Sequence, residues 1–264
     1  IDYLVADTTV APPDLRHCYG EPLALMPHCM IPTDHKQAHG ELLTSPRPSR
    51  AEYGLPEEGV VYSCHQQLFK LDPDLFSVWC RILERVPGSV LWLLRSPPAA
   101  EPRLRREAER HGVDPSRLIF ADRVPTADYV RRQALGDVFL DTPVYNAFTT
   151  GCDALWAGCP LVTFPLERMA SRVGASLAAA TGLHMEVRSY PEYEDLSVML
   201  GTDHDKRHAL RSELLNSRRT CPLFDTHTWV RDFERLVRSL WDRHAAGEPL
   251  ATVTLDVMPP VSGE

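Results

Sequence analysis

Two adjacent hydroxyls, Thr149 and Thr150, stand where a polar turn gives way to a helical pattern. They follow the apolar run Val138-Phe139-Leu140 and the turn sequence Asp141-Thr142-Pro143. Hydroxyls at a helix start, with the first backbone N–H groups that no intrahelical carbonyl reaches, make a cradle for phosphate. Lys70 follows Gln66-Gln67-Leu68-Phe69, in the loop behind another apolar run. An ammonium beside a diphosphate stabilises the charge that grows when a bond to phosphate breaks; the alternative for Lys70 is a solvated surface cation. Asp153 lies one helical turn beyond Thr150, where a carboxylate either accepts from ribose hydroxyls or answers to the helix dipole. Tyr129 and Arg132 are three apart and share a helix face. They either stack on and hydrogen-bond a nucleobase or form a packing pair at a crevice rim. Together these residues read as a loop and helix that hold the diphosphate of a nucleotide.

Two other patterns imitate metal sites. Asp72-Pro73-Asp74 and Asp203-His204-Asp205 spell Asp-x-Asp, but each sits at a helix start, where capping explains it better. His35 and His39 have the spacing of two ligands on one helix face, with His28 nearby. No acidic partner stands beside them in a helical pattern, so they read as loop histidines. No metal is expected.

The frame that positions these groups is an alternation of strands and helices. Residues 60–64 read as a strand, followed by Asp72 as N-cap and Pro73 at the first helical position. Leu75, Val78, Trp79, Ile82 and Val86 then fall on one helical face. Further strands are expected at 90–94, 118–120, 138–140 and 161–164. Helices are expected over 102–111, stopping at Gly112, from a Thr126 cap through Arg132, from Thr149 onward, and over 168–181, stopping at Gly182. Helical segments at 191–200, 204–217 and 229–246 complete the chain. Strand, loop, helix, strand is the unit of a parallel sheet, with ligands at the carboxyl ends of its strands. The fold class is α/β: a Rossmann-like, doubly wound parallel-sheet lobe over residues 46–250 with a C-terminal helical tail. Residues 1–45 read as the end of a preceding lobe and a linker, and residues 251–264 as a loose tail.

Composition bounds the partners. With 44% hydrophobic and 24% charged residues, this is the make-up of an ordinary globular protein. The net charge of -8 argues against general nucleic-acid binding or a polybasic membrane patch. No apolar run approaches the ~20 residues of a membrane span. Seven cysteines, none spaced as C-x-x-C, read as buried reduced thiols of a cytoplasmic protein.

The runs Tyr145-Asn146-Ala147-x-Thr149-Thr150-x-x-Asp153-Ala154-Leu155-Trp156-Ala157-Gly158-x-Pro160, Ala170-Ser171-Arg172-Val173-x-Ala175-Ser176 and Cys221-Pro222-Leu223-Phe224 resemble protein O-GlcNAc transferases. So do Gln67-Leu68-x-Lys70-x-Asp72-Pro73 and Val86-Pro87-x-Ser89-Val90-Leu91-Trp92-Leu93-Leu94. The resemblance runs from about Asp2 to Gly247. It implies a two-lobed GT-B fold and a metal-independent, inverting transfer of N-acetylglucosamine from UDP-GlcNAc to serine or threonine hydroxyls of proteins. The donor sugar nucleotide is a substrate, and no cofactor is implied. Tetratricopeptide repeats upstream and a location in cytoplasm or nucleus go with the family. By the same resemblance Gln67 and Lys70 face the diphosphate, with Lys70 aiding departure of UDP. Thr149 and Thr150 donate to phosphate oxygens, Asp153 holds the ribose, and the segment through Val124, Pro125, Thr126, Tyr129 and Arg132 frames the uracil.

Three positions depart from the family pattern. Phe148 stands where the family has histidine, Tyr129 where animal enzymes have a stacking histidine, and Thr126 where they have lysine. An aromatic ring at Tyr129 can still stack. The stretch between His35 and Val60 has no room for the large inserted domain of animal members, which resembles bacterial, algal or plant forms. The family's repeats and most of its first lobe, with a catalytic histidine, are expected before Ile1, so the chain alone is expected not to turn over. Two alternatives accompany the resemblance: an O-fucosyltransferase using GDP-fucose, as in the Spindly branch, and a non-catalytic nucleotide-sugar scaffold.

Overall fold

The computed structural model describes residues 1–43 and 46–257. Thr44 and Ser45, within the expected linker, and residues 258–264 of the expected tail lie outside the described residues.

Two parallel sheets organise the chain. The larger has five strands: β3 Val61–Cys64, β4 Val90–Leu94, β5 Leu118–Ala121, β6 Val138–Leu140 and β7 Leu161–Val162. Their order is β5-β4-β3-β6-β7, all parallel. Helices on both faces bury these strands, so they read as continuous apolar runs rather than alternating ones. The covering helices are α2 Pro73–Arg85, α3 Glu101–Arg110, α4 Thr126–Arg132, α5 Thr149–Trp156, α6 Val173–Thr181, α7 Tyr190–Thr202 and α8 His204–Ser217. The caps read from sequence are present. Asp72 Oδ1 accepts from Leu75 N at 2.9 Å and Asp203 Oδ1 from Lys206 N at 2.9 Å, which is the capping role expected of both Asp-x-Asp spellings. Gly182 closes α6 at φ 89°, a left-handed conformation that favours glycine.

The smaller sheet pairs β1 Leu4–Asp7 with β2 Leu23–Met26, Leu4 opposite Leu23. Here the structure corrects the expected tail. Val253–Thr254 forms β8 and pairs in parallel with Ala24 and Leu25, because the free edge of β2 offers unpaired backbone groups to any extended segment beside it. The long helix α9, Thr226–Ala245, also packs on this sheet rather than trailing from the larger one. Its Trp229, Phe233, Leu236 and Leu240 cover Ala24 and Met26.

Two helix starts differ from expectation. Thr126 is the first helical residue rather than the cap, since Pro125 occupies the cap position and has no side-chain acceptor to offer. The helix expected over 168–181 opens as a 3₁₀ turn, Met169–Ser171, before α6 begins at Val173. The segment leading into β3 is anchored by Arg50, whose Nη2 lies 2.7 Å from Asp137 Oδ2 and whose Nη1 donates to Gly59 O at 2.8 Å. Six of the seven cysteines are buried, Cys18 being the exposed one. Among the described residues no helix is long and apolar enough to cross a membrane.

Candidate functional site

Strand order reverses between β3 and β6: β4 and β5 extend the sheet to one side, β6 and β7 to the other. The loops leaving the carboxyl ends of β3 and β6 therefore diverge and leave a crevice, where open α/β sheets bind ligands. A cavity of about 320 Å³ opens there. It is lined by Gln67 and Lys70 after β3, Leu94 at the end of β4, Arg123 and Val124 after β5, Tyr129 and Arg132 of α4, and Tyr145, Phe148, Thr149 and Thr150 after β6. His65 and Gln66 complete it. Most of the residues singled out in the sequence thus meet at one site. Pro125, Thr126 and Asp153 do not line the cavity.

The charge of the cavity is one-sided. Lys70, Arg123 and Arg132 line it, and no Asp or Glu does. Lys70 Nζ donates to Gln66 Oε1 and to the Asn146 carbonyl, each at 2.8 Å, and lies 4.0 Å from the centre of the Tyr145 ring. All three contacts are with neutral groups. Burial pulls the Lys70 ammonium down from its ordinary value, while Asp141 behind it acts in the opposite sense. The alternative of a freely solvated lysine is therefore set aside by geometry.

Asp141 is the fixed point of this arrangement. Its Oδ1 accepts from Gln66 Nε2 at 2.9 Å, Thr142 N at 2.9 Å and Ala147 N at 2.7 Å, and its Oδ2 from Thr163 Oγ1 at 2.8 Å. Complete burial nevertheless pushes its carboxyl up to about 6. A side chain at Gly174 would meet Asp141 Oδ2 at 2.2 Å, so only glycine lets α6 approach this closely. Asp141 thus holds Gln66, and Gln66 in turn holds Lys70.

On the other wall, Phe148 occupies the N-cap position of α5 and offers no side-chain hydrogen bond. Its ring meets Tyr145 edge-on at 6.0 Å. Thr149 and Thr150 form the first turn of α5, as expected, and both line the cavity.

The third wall is aromatic. Arg132 is buried, its Nη1 donating to the Asp122 carbonyl at 2.7 Å, with its guanidinium 5.3 Å from the Tyr129 ring and 5.8 Å from Trp92. The buried Tyr129 hydroxyl, Arg132 Nε and Arg132 Nη2 have no hydrogen-bond partner. His65 Nδ1 lies 2.8 Å from Gln133 Nε2, and its ring packs edge-on against Trp92 at 4.3 Å. Burial, aided by Arg132, holds the His65 imidazole well below its usual range, so it is neutral at pH 7. Burial, aided by Asp153, raises the Tyr129 phenol. Sequence reasoning missed His65, Gln66, Arg123, Leu94 and Tyr145 as lining residues. The first two directly follow β3 and the third directly precedes Val124, so adjacency to named residues was the available signal.

His35 corrects a sequence expectation. It lies in a helical turn, α1 His35–Ala38, and it has an acidic partner: Nε2 stands 2.8 Å from Asp153 Oδ1, 118 residues away in the chain. Among the described residues no three His, Cys, Asp or Glu side chains converge as a metal-binding group.

Comparison with known proteins agrees with this architecture. The model of glycosyl transferase family 41 matches residues 42–233. A probable UDP-N-acetylglucosamine–peptide N-acetylglucosaminyltransferase of Arabidopsis thaliana, SEC, is 47% identical over 251 residues, covering 94% of this chain and 26% of its own length. The UDP-N-acetylglucosamine–peptide N-acetylglucosaminyltransferase of Caenorhabditis elegans is 41% identical over 227 residues, 83% of this chain and 19% of that protein. Among solved structures, a mutant of the Thermobaculum terrenum O-GlcNAc transferase superposes with a TM-score of 0.83 at 28% identity, over 94% of this chain and 46% of that one. The chain thus spans about a quarter or less of the length of these curated relatives. A parallel sheet with a cationic crevice at its switch point, the GT-B likeness and the match over residues 42–233 lead to one assignment: the chain belongs to glycosyl transferase family 41.

Proposed function

We propose that this chain is the donor-binding part of a metal-independent, inverting glycosyltransferase that moves N-acetylglucosamine from UDP-GlcNAc to serine or threonine hydroxyls of proteins. The observation that carries the reading is the convergence of Lys70 with the Thr149-Thr150 helix start on a cavity lined by cations and by no carboxylate. Relatives at 47% and 41% identity are named for UDP-N-acetylglucosamine and a peptide acceptor, which supports that donor and that acceptor class.

In this reading the diphosphate lies between Lys70 and the start of α5, and the base lies against Tyr129, Arg132 and Val124. An acceptor oxygen attacks the anomeric carbon from the face opposite the diphosphate. The carbon–oxygen bond to the diphosphate breaks, its electron pair leaves with UDP, the acceptor hydroxyl's proton is released to the departing diphosphate or solvent, and the configuration inverts. Lys70, the two threonine hydroxyls and the α5 N–H groups meet the charge as it grows. These fixed cationic and dipolar groups supply the stabilisation that a divalent cation gives in other sugar transfers. Asp153, one turn further along α5, accepts from the ribose hydroxyls.

The test is incorporation of label from UDP-[³H]GlcNAc into a serine-bearing peptide by the full-length protein, with and without EDTA. Incorporation into a β-linked product, insensitive to chelation, is expected. No incorporation, an α-linked product, or loss of activity on chelation would each overturn the corresponding part of the reading.

A further inference from the structure

His35 belongs to the segment between the two sheets, yet its imidazole is built into the nucleotide-facing helix. Nε2 lies 2.8 Å from Asp153 Oδ1. The two side chains are 11% and 14% exposed, so solvent competes little for this bond. The ring is wedged against Trp156 at 5.8 Å and Phe224 at 5.5 Å, with His39 edge-on at 5.6 Å. Trp156 lies three residues beyond Asp153 on α5, so one face of that helix supplies both the ring contact and the hydrogen-bond partner. Nδ1 is buried without a partner, which leaves Nε2 as the nitrogen that makes the ring's hydrogen bond. Asp153 Oδ1 is thereby committed. Asp153 lies three and four residues beyond Thr150 and Thr149, which line the cavity, so it shares their face of α5 one turn further along.

We propose that His35 is a positioning residue: it fixes the Asp153 carboxylate through Oδ1 so that Oδ2 is held ready for the vicinal hydroxyls of a bound nucleoside. This rests on the reading of the cavity as a nucleotide site. A free aspartate on a helix surface samples several rotamers, and ordering it on binding costs affinity. A clamped imidazole removes that cost beforehand, as partners behind a first ligand-contacting group do. Because His35 comes from outside the larger sheet, the same bond ties the segment between the sheets to the ribose subsite.

The test is a cycle over one side chain and two ligand hydroxyls. Calorimetric titration of the chain with UDP and with 2′,3′-dideoxy-UDP is carried out on the wild type and on His35→Ala, His35→Phe and His35→Gln. His35→Ala is expected to weaken UDP about threefold to tenfold while leaving the dideoxy nucleotide unchanged. His35→Phe keeps the ring packing against Trp156 and Phe224 and is expected to show the same selective loss. His35→Gln places an amide N–H near the former Nε2 and is expected to restore most of the difference. Equal weakening of both nucleotides by His35→Phe, or no effect of either substitution, would mean that the histidine only packs and would overturn the proposal. A wild type that binds neither nucleotide would overturn the nucleotide reading itself, and the proposal with it.

Discussion

Removal of the Lys70 ammonium is expected to slow the chemical step far more than it weakens donor binding. In the free protein Nζ is held by Gln66 Oε1 and the Asn146 carbonyl at 2.8 Å and rests 4.0 Å above the Tyr145 ring. None of these neutralises it, so its charge is available to an anion bound in the cavity. At ~4 Å and the effective dielectric of about 20 that suits such sites, a full unit charge interacts with the ammonium by about 4 kcal/mol. A half-developed charge on the departing diphosphate thus loses about 2 kcal/mol in Lys70→Ala, and a fully developed one about 4. At 1.36 kcal/mol per factor of ten, kcat falls between ~30-fold and ~1000-fold. The upper part of that range overlaps the ~10²–10³ typical for loss of one preorganised donor. Binding should change far less, because the charge develops mainly on the way to the transition state. The assay is steady-state kinetics of the full-length protein with UDP-GlcNAc, with UDP affinity from calorimetry and thermal melts to check that Gln66, now lacking its donor, has not cost the fold. An unchanged kcat, or a loss in kcat no larger than the loss in UDP affinity, would refute the leaving-group role.

Phe148→His returns a hydrogen-bond donor to the N-cap of α5. A neutral bond is worth ~1 kcal/mol and one to a charged group ~1.5–3 kcal/mol, so kcat/KM of the full-length protein should rise about fivefold to a hundredfold. No gain would mean that a backbone N–H or water already serves that phosphate oxygen. Asp141 gives a pH signature. Burial holds its carboxyl at about 6 against 3.8 for the free side chain, so the folded protein binds this proton more tightly than the unfolded chain. The stabilisation is complete below the unfolded value and is lost as pH rises through about 6. Asp141→Asn keeps an acceptor for Gln66, Thr142 and Ala147 and turns an amide toward Thr163. It should therefore gain about 3 kcal/mol relative to the wild type between pH 4 and pH 7.5, measured by urea unfolding. Stability curves that run parallel across that range would contradict the buried-carboxylate account.

The sequence carried the larger sheet almost residue by residue because local signals and tertiary structure agree there. Val90–Leu94 forms as expected, the capping aspartates Asp72 and Asp203 start their helices, Thr149 opens α5 and Gly182 closes α6. Those signals act within one turn of chain. The parts that were not legible depend on distant partners. His35 meets Asp153 across 118 residues, so no spacing rule could supply its acid. Val253–Thr254 is extended because β2 has a free edge, not because two residues have a strand preference of their own. Thr126 has the chemistry of a cap, but the proline before it has a non-helical ψ of 151° and takes the cap position. Arg132 was legible as a neighbour of Tyr129, yet its burial, with the guanidinium 5.8 Å from the Trp92 ring, depends on a strand distant in the chain.

The roles of Lys70, Thr149 and Thr150 all depend on the switch-point cavity being a uridine diphosphate site. Calorimetric titration of the chain with UDP and with GDP tests it most directly. The wall made by Val124, Tyr129 and Arg132, which resembles the uracil-framing segment of O-GlcNAc transferases, closes a cavity of about 320 Å³. UDP is expected to bind with one-to-one stoichiometry and at least roughly tenfold, or about 1.4 kcal/mol, more tightly than GDP. Equal or tighter binding of GDP, or no heat with either nucleotide, would contradict the account.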